Sequence, residues 1–197
     1  MTSPQSYLDA AVEIITGFEN RIHWMYLDTV GVVTVGVGQA LLTPAMALAY
    51  PFQRPNAEYA TREEILAEYA TVKVMPRGRV AKAYRRSTSL LLSDAAIDDK
   101  LRDTISNCVM ELLALFQNFA SFPDAAKLGL IDMTFNLGVT KLRRGYPNFC
   151  GFVRQEMWKE AALRCHRIGP SEARNAWTAN QFMLAAKAAD AVTENLV

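Results

Sequence analysis

From Ser87 to its end the sequence shows almost only helical patterns, and this limits how much sheet the chain can hold. Apolar residues recur at helical spacing after Ser93-Asp94 and predict a long helix over 94–118. The segment 127–138, KLGLIDMTFNLG, is apolar nearly all round and predicts a buried central helix that ends at Gly138. Further helices are predicted at about 147–155, 157–168, 171–183 and 184–193.

The N-terminal part changes from a helical to an alternating pattern. Residues 6–18 predict an amphipathic helix, and Thr29-Val30-Gly31 then supplies the turn of a hairpin over about 25–37. One face of this hairpin carries Val33, Val35 and Val37, and the other carries Thr34, Gly36 and Gly38. The second face has little side-chain bulk, so we expect it to be open to a ligand. Together these patterns predict an α+β fold that is mostly α.

The segment between these parts, 43–87, is punctuated by four prolines. TREE at 61–64 predicts a capping box that opens a short helix to about Lys73. Five basic residues follow within 77–86, a pattern typical of a solvated face or a flexible loop. They are Arg77, Arg79, Lys82, Arg85 and Arg86.

The overall composition indicates a globular chain with one core. Lys and Arg number 21 against 20 Asp and Glu, a net charge of +1, so bulk charge gives no reason to expect nucleic acid or an anionic membrane as a partner. No apolar run approaches the roughly 18 residues of a membrane-spanning helix. Asp9 and Glu13 interrupt the N-terminal stretch, so we expect synthesis in the cytoplasm without a signal peptide.

Cysteine and histidine usage gives no metal or disulfide pattern. Cys108, Cys150 and Cys165 are odd in number and lie in apolar or helical contexts, which predicts buried, reduced thiols. His23 and His166 are isolated, and no cluster has metal-ligand spacing. We therefore expect neither a metal nor another cofactor.

Two acidic residues stand out as candidates for chemistry. Glu19 ends the first helical pattern and Asp28 lies at the edge of the hairpin turn, nine positions later. Two carboxylates on different elements can face each other, as hydrolysis of a glycosidic bond requires. Taken alone, Glu19 is more simply a surface acid and Asp28 a turn residue, and Thr34 is an ordinary strand residue.

The sequence resembles the phage-type lysozymes, the endolysin muramidases of glycoside hydrolase family 24. Glu19, Asp28 and Thr34 keep that family's spacing of nine and then six positions, before a Gly-x-Gly. Three further stretches are similar to family signatures: the turn at 26–31, IDMTFNLG at 131–138, and Trp158 with Ala161-Ala162 followed by SEARNAW at 171–177. Gln39 stands where the family usually has His, and 43–87 is longer than the usual connection.

This resemblance implies a single lysozyme-like domain over 1–197 with two lobes. A small lobe, about 1–90, would carry the β-hairpin and the insertion 43–87, and a helical C-terminal lobe would follow over about 91–197. The long helix would connect the lobes, and substrate would lie in a cleft between them. The protein is expected to be a monomer.

The resemblance also implies an N-acetylmuramidase that cleaves the β-1,4 bond between N-acetylmuramic acid and N-acetylglucosamine in peptidoglycan. Glu19 would be the general acid, Asp28 the base toward a water, and Thr34 would position that water. Inverting chemistry of this kind places the two carboxyls about 6.5–9.5 Å apart. The residues expected to bind the glycan are Tyr26, Gly36, Gln39, Phe135 and Asn136.

Other interpretations remain open. Phe135, Asn136 and Tyr26 can instead be core or helix-end residues. The whole chain can be an inactive lysozyme-fold module that binds glycan or protein, a lytic transglycosylase that does not need Asp28, or a chitosanase-like glycosidase. If it is a bacteriolytic muramidase, it would reach the periplasmic cell wall after release by a holin, or as an antibacterial effector injected by a secretion system. An effector would have an immunity protein as a further partner.

Overall fold

The computed structural model of the protein describes residues 4–194, and the fold is α+β and mostly helical, as predicted. Three strands form one sheet: β1 (Ile22–Leu27), β2 (Val33–Gly36) and β3 (Gln39–Leu41). The α-helices are α1 (Pro4–Phe18), α2 (Pro44–Ala47), α3 (Arg62–Lys73), α4 (Asp94–Leu115), α5 (Asp124–Leu137), α6 (Val139–Gly145), α7 (Pro147–Arg154), α8 (Trp158–Ala162) and α9 (Glu172–Glu194). Two 3₁₀ helices span Ala81–Ser87 and Phe119–Ser121.

The chain divides into two compact units. Ile15–Arg102 forms one, which we call the sheet unit. Residues 4–14 and 103–194 form the other, which we call the helical unit. The division of the chain at about residue 90 stays a prediction, as does the cleft.

The predicted hairpin is present and has a third strand. The strands are antiparallel in the order β1-β2-β3, with Tyr26 opposite Thr34 and Thr34 opposite Ala40. The register shifts between Ile22 and Tyr26, so β1 is irregular near its start. Gly31 closes the first turn with a φ of 87°, a conformation that favours glycine.

The two faces of β2 differ less in burial than the alternating pattern suggests. Val33 and Val35 are fully buried, as predicted. Thr34 is only 4% exposed and Gly36 is buried as well, so the expected open face is wrong at these two positions. Gly38 alone of the three is exposed.

The capping box before α3 is confirmed. Side chains of α3 also connect this helix to strand β3 and to the backbone of residues 89–90. Thr61 Oγ1 accepts from the Glu64 amide, and the Glu64 carboxylate accepts from the Thr61 amide at 2.7 Å. Tyr69 on α3 donates its hydroxyl to Leu41 O on β3 at 2.9 Å. Glu68, also buried, accepts hydrogen bonds from the amides of Ser89 and Leu90.

The helical unit follows the predicted pattern around α5. This helix is buried over most of its length and ends at Gly138, whose φ is 72°. Gly129 on α5 lets α9 approach, because a Cβ there would lie 2.9 Å from Cζ of Phe182. Phe182 in turn packs edge-on against Phe149, with ring centroids 5.3 Å apart.

Several helix boundaries differ from the prediction. The long helix ends at Leu115 instead of residue 118, and 171–183 and 184–193 form one helix, α9. Helix α6 was not predicted, and 157–168 contains only the short α8. Pro123 is the N-cap residue of α5, and no side chain caps this end of the helix.

A buried ionic cluster joins α5 to α9 and to the segment before it. Arg167 Nη2 donates to Asp132 Oδ2 at 2.6 Å, and Arg174 Nε donates to Asp132 Oδ1 at 2.8 Å. Thr178 adds a hydrogen bond to Asp132 Oδ2 at 2.7 Å. Asp132 and Arg167 are each 1% exposed, so their charges compensate each other away from water, and Arg174 adds a second cation to the same carboxylate.

All three cysteines are free and buried, as predicted. Burial raises the pKa of the Cys108 thiol to about 12 and that of Cys165 to about 11, so both are poor nucleophiles. Among residues 4–194, no helix is both long enough and apolar enough to cross a membrane.

Candidate active site

Glu19 lies immediately after α1, and its position is fixed by the end of that helix. Its amide donates to Ile15 O at 3.0 Å, which continues the helical hydrogen-bond pattern by one residue. The Glu19 side chain is half-buried and lies close to Gly38, in the turn between β2 and β3. A Cβ at Gly38 would lie 3.7 Å from Glu19 Oε2, so the backbone of the β2–β3 turn borders this carboxylate.

Asp28 holds the turn between β1 and β2 with one of its two carboxylate oxygens. Oδ1 accepts from the amide of Val30 at 3.0 Å and from that of Val32 at 2.8 Å. The Asp28 amide donates to Val32 O at 2.9 Å, which closes the same turn through the backbone. Oδ2 has no hydrogen-bond partner within the described part of the chain. The carboxylate is thus oriented by the protein through one oxygen, and the other can accept a proton from water.

Thr34 and Tyr26 lie on one face of the sheet, because they are directly opposite each other on antiparallel strands. The Thr34 hydroxyl donates to Val32 O at 3.1 Å. Its lone pairs can still accept a hydrogen bond. Tyr26 precedes Asp28 by two positions, so Thr34, Tyr26 and the turn that contains Asp28 form one local cluster.

The electrostatics of Tyr26 link the two candidate carboxylates. Burial, together with the negative charges of Glu19 and Asp28, raises the pKa of the Tyr26 hydroxyl to about 12, and burial is the largest of these causes. Both carboxylates therefore lie within electrostatic range of one hydroxyl. Tyr26 keeps its proton at any physiological pH and can act as a hydrogen-bond donor in this cluster.

Gln39 has a structural contact in the second turn. Its Oε1 accepts from the Val37 amide at 2.6 Å, and the residue is 6% exposed. A Cβ on Gly36 would displace this oxygen, so the Gln39 side chain lies directly over Gly36. This contact occupies the space over Gly36 that the sequence analysis expected to be open. A role for Gly36 and Gln39 in glycan binding stays a prediction.

The remaining predicted binding residues belong to the helical unit. Phe135 and Asn136 lie near the end of α5, where Phe135 is half-buried and Asn136 is exposed. Their part in glycan binding also stays a prediction. The structure brings together Glu19, Tyr26, Asp28, Thr34 and Gly38, all within the sheet unit.

Two features of charged residues were not predicted from the sequence. The arginine partners of Asp132 are 35 and 42 positions away in the chain, so no local pattern identifies them. An aspartate within an apolar helix is nevertheless a signal that a buried cation lies beside it. The basic stretch after α3 packs against β1, which no local pattern indicated. Within residues 4–194, no group of three His, Cys, Asp or Glu side chains could hold a metal ion.

The chain was compared with known protein families and with curated proteins. No family model matches it, and no curated protein matches it significantly. The residues and their geometry are therefore the basis for any functional assignment.

Proposed function

We propose that the protein is a glycoside hydrolase that cleaves the β-1,4 bond between N-acetylmuramic acid and N-acetylglucosamine in peptidoglycan. The observation that carries the proposal is the difference between the two carboxylate oxygens of Asp28. One oxygen is held by two backbone amides, and the other has no partner in residues 4–194 and can activate a water. The resemblance to phage-type lysozymes supplies the substrate, since the geometry by itself supports acid/base hydrolysis more generally.

In this proposal Glu19 protonates the oxygen of the leaving sugar. Glu19 lies at the end of α1 beside Gly38, which has no side chain to stand between this carboxylate and a substrate. Asp28 removes a proton from water as that water attacks the anomeric carbon. Thr34 can accept a hydrogen bond from the same water, because its own proton is already donated to Val32 O.

A requirement for both carboxylates distinguishes this proposal from its alternatives. A lytic transglycosylase needs the acid but no base toward water, and an inactive glycan-binding module needs neither.

The direct experiment is release of soluble muropeptides from purified sacculi by the wild-type protein and by Glu19→Gln. General acid catalysis contributes about 100- to 10,000-fold, so we expect a loss of that size in the variant. Glu13→Gln on the exposed face of α1 is the matched control and should release muropeptides at the wild-type rate. Full activity of a folded Glu19→Gln protein would contradict the proposal.

A further inference from the structure

The positive charge of the chain is concentrated in one stretch. Six of the 21 basic residues lie in 73–86, and this stretch contains no acidic residue. The remaining chain has 15 basic residues against 20 acidic ones, a net charge of −5. We call 73–86 the basic segment; its six cations are Lys73, Arg77, Arg79, Lys82, Arg85 and Arg86. Such segregation in a nearly neutral chain indicates a local anion-binding surface.

The basic segment is a folded part of the sheet unit and not a loose loop. Trp24 on β1 donates its indole N–H to Ala81 O at 3.0 Å, and the Arg85 guanidinium lies 5.7 Å from the Trp24 ring centroid. Tyr84 is fully buried and donates its hydroxyl to Pro76 O at 2.8 Å. These contacts hold the backbone in place, so the positions of the cations are determined by the fold.

The start of the basic segment borders the turn that carries Asp28. Lys73 Nζ donates to Gly31 O at 2.9 Å, and a Cβ at Gly31 would lie 3.6 Å from Cδ of Arg77. Gly31 is in the same turn as Asp28, since its amide donates to Asp28 O at 3.2 Å. A polymer bound at Asp28 would therefore pass beside Lys73 and Arg77.

Four cations of the basic segment are exposed and form no ion pair with the residues that the structure describes. Arg77, Arg79, Lys82 and Arg86 are all exposed, and none of them pairs with a carboxylate in the described chain. Exposed valines lie among them: Val30 is 70% exposed, Val74 83% and Val80 76%. A surface with free cations and apolar groups suits a ligand that has both carboxylates and aliphatic side chains.

We propose that the basic segment binds the stem peptides of peptidoglycan through their carboxylates, next to the glycan bond that is cleaved. This inference rests on the proposed function. A peptide branch is favoured over a separate phosphate polymer because Lys73 and Arg77 adjoin the Asp28 turn, where a bound glycan must bring its own peptides. The alanine side chains of such peptides would contact the exposed valines.

The test compares hydrolysis of intact sacculi with hydrolysis of glycan strands from which an amidase has removed the peptides. The variant replaces Arg77, Arg79, Lys82 and Arg86 by Gln. The control replaces Lys141, Arg143, Arg144 and Arg164 by Gln, which are exposed cations of the helical unit and give the same change of charge. We expect the wild-type preference for peptide-bearing strands to fall about tenfold in the variant and to be kept in the control.

Binding is measured separately, by sedimentation with sacculi in a Glu19→Gln background, so that it does not depend on catalysis. Suppose that the wild type, the variant and the control all fail to hydrolyse either substrate, while the variant of the basic segment still loses binding. The proposed function then fails and the peptide-binding surface stands. Equal loss in the variant and the control would overturn the inference in favour of general charge attraction. It would also be overturned if stripping phosphate polymers from the sacculi abolished the difference between variant and wild type.

Discussion

At the scale of single residues, the two oxygens of Asp28 have different functions in the proposed mechanism: Oδ1 maintains the turn through two amides, and Oδ2, which has no hydrogen-bond partner within residues 4–194, is the base. An amide oxygen can replace the first function but cannot act as a base. Replacing Asp28 by Asn should therefore keep the hydrogen bonds from the Val30 and Val32 amides. Replacing it by Ala removes both functions at once.

The first prediction compares these two substitutions. Asp28→Asn should lose at least about 100-fold in turnover and change the free energy of unfolding by less than about 1 kcal/mol. Asp28→Ala should lose the same activity and about 1–3 kcal/mol of stability, since two amides lose their acceptor. Urea denaturation and muropeptide release measure the two effects. Equal stability of the two variants would show that the turn does not need this carboxylate.

The second prediction concerns Tyr26 and alkaline pH. The Tyr26 pKa is raised to about 12 in the folded protein and is about 10 in the unfolded chain. Between these values the unfolded state has released the proton while the native state retains it, so the free energy of unfolding falls as pH rises. The contribution is complete below about pH 10 and is lost by about pH 12.

The comparison of wild type with Tyr26→Phe isolates this contribution, because the other tyrosines remain in both proteins. Urea denaturation from pH 9 to 11.5 should show a shallower loss of stability in the variant. Parallel curves would mean that Tyr26 does not titrate abnormally, and the inferred closeness of Glu19 and Asp28 to its hydroxyl would fall with that result.

At the scale of elements, the turn between β2 and β3 contains two glycines with positive φ, 66° at Gly36 and 72° at Gly38. At Gly36 a Cβ would in addition displace the end of the Gln39 side chain. Gly38 has room, but its φ of 72° is unfavourable for other residues, and its Cα lies beside the Glu19 carboxylate. A substitution at Gly38 therefore tests two things at once, the cost of the backbone conformation and the proposed role of Glu19.

The third prediction is that Gly38→Ala lowers the free energy of unfolding by about 1–2 kcal/mol, the cost of a left-handed backbone conformation. Turnover should fall too, because the new methyl group lies against Glu19. Gly17→Ala is the matched control: nothing lies within 4 Å of its Cβ position in α1, and it should gain about 0.5–1 kcal/mol. A stable and fully active Gly38→Ala protein would show that the turn is free to adjust.

Elements with strong local signals could be predicted from the sequence, and those without such signals could not. The capping box at Thr61, the end of α5 at Gly138 and the turn at Gly31 each depend on residues within a few positions. Strand β3 has only three residues, too few to show a period. Helix α6 is short as well, and it begins directly after the glycine that ends α5.

The candidate site shows the same limit. The spacing of Glu19, Asp28 and Thr34 predicted residues that the fold does place in one unit. It could not predict that Gln39 covers Gly36, because this depends on how the β2–β3 turn folds back. It also could not predict the contact between Trp24 and Ala81, which lie 57 positions apart. Contacts between distant positions need a tertiary structure.

At the scale of the whole molecule, charge is used differently in the two units. The sheet unit displays unpaired cations on its surface in the basic segment. The helical unit also has exposed cations, such as Arg143 and Arg144, but in addition it buries the Asp132 cluster, where one carboxylate accepts from Arg167, Arg174 and Thr178. A buried carboxylate that holds two guanidinium groups is costly to remove, because both cations then lose their charge partner.

The fourth prediction follows from this cluster. Asp132→Asn should lower the free energy of unfolding by about 3–5 kcal/mol, the cost of leaving buried guanidinium charge uncompensated. Asp99→Asn, at an exposed position of α4, should stay within about 0.5 kcal/mol of wild type. Urea denaturation of both variants provides the measurement. A small effect of Asp132→Asn would mean that the two arginines find other partners or reach water.

The central claim is that this chain hydrolyses the glycan of peptidoglycan with Glu19 as acid and Asp28 as base. Mass analysis of the muropeptides that the wild-type protein releases from purified sacculi tests it most directly, because the mass of each product shows whether water was added. We expect products that end in reducing N-acetylmuramic acid, and none from Glu19→Gln. Products that end in 1,6-anhydro-N-acetylmuramic acid, or no soluble products from the wild-type protein, would contradict the claim.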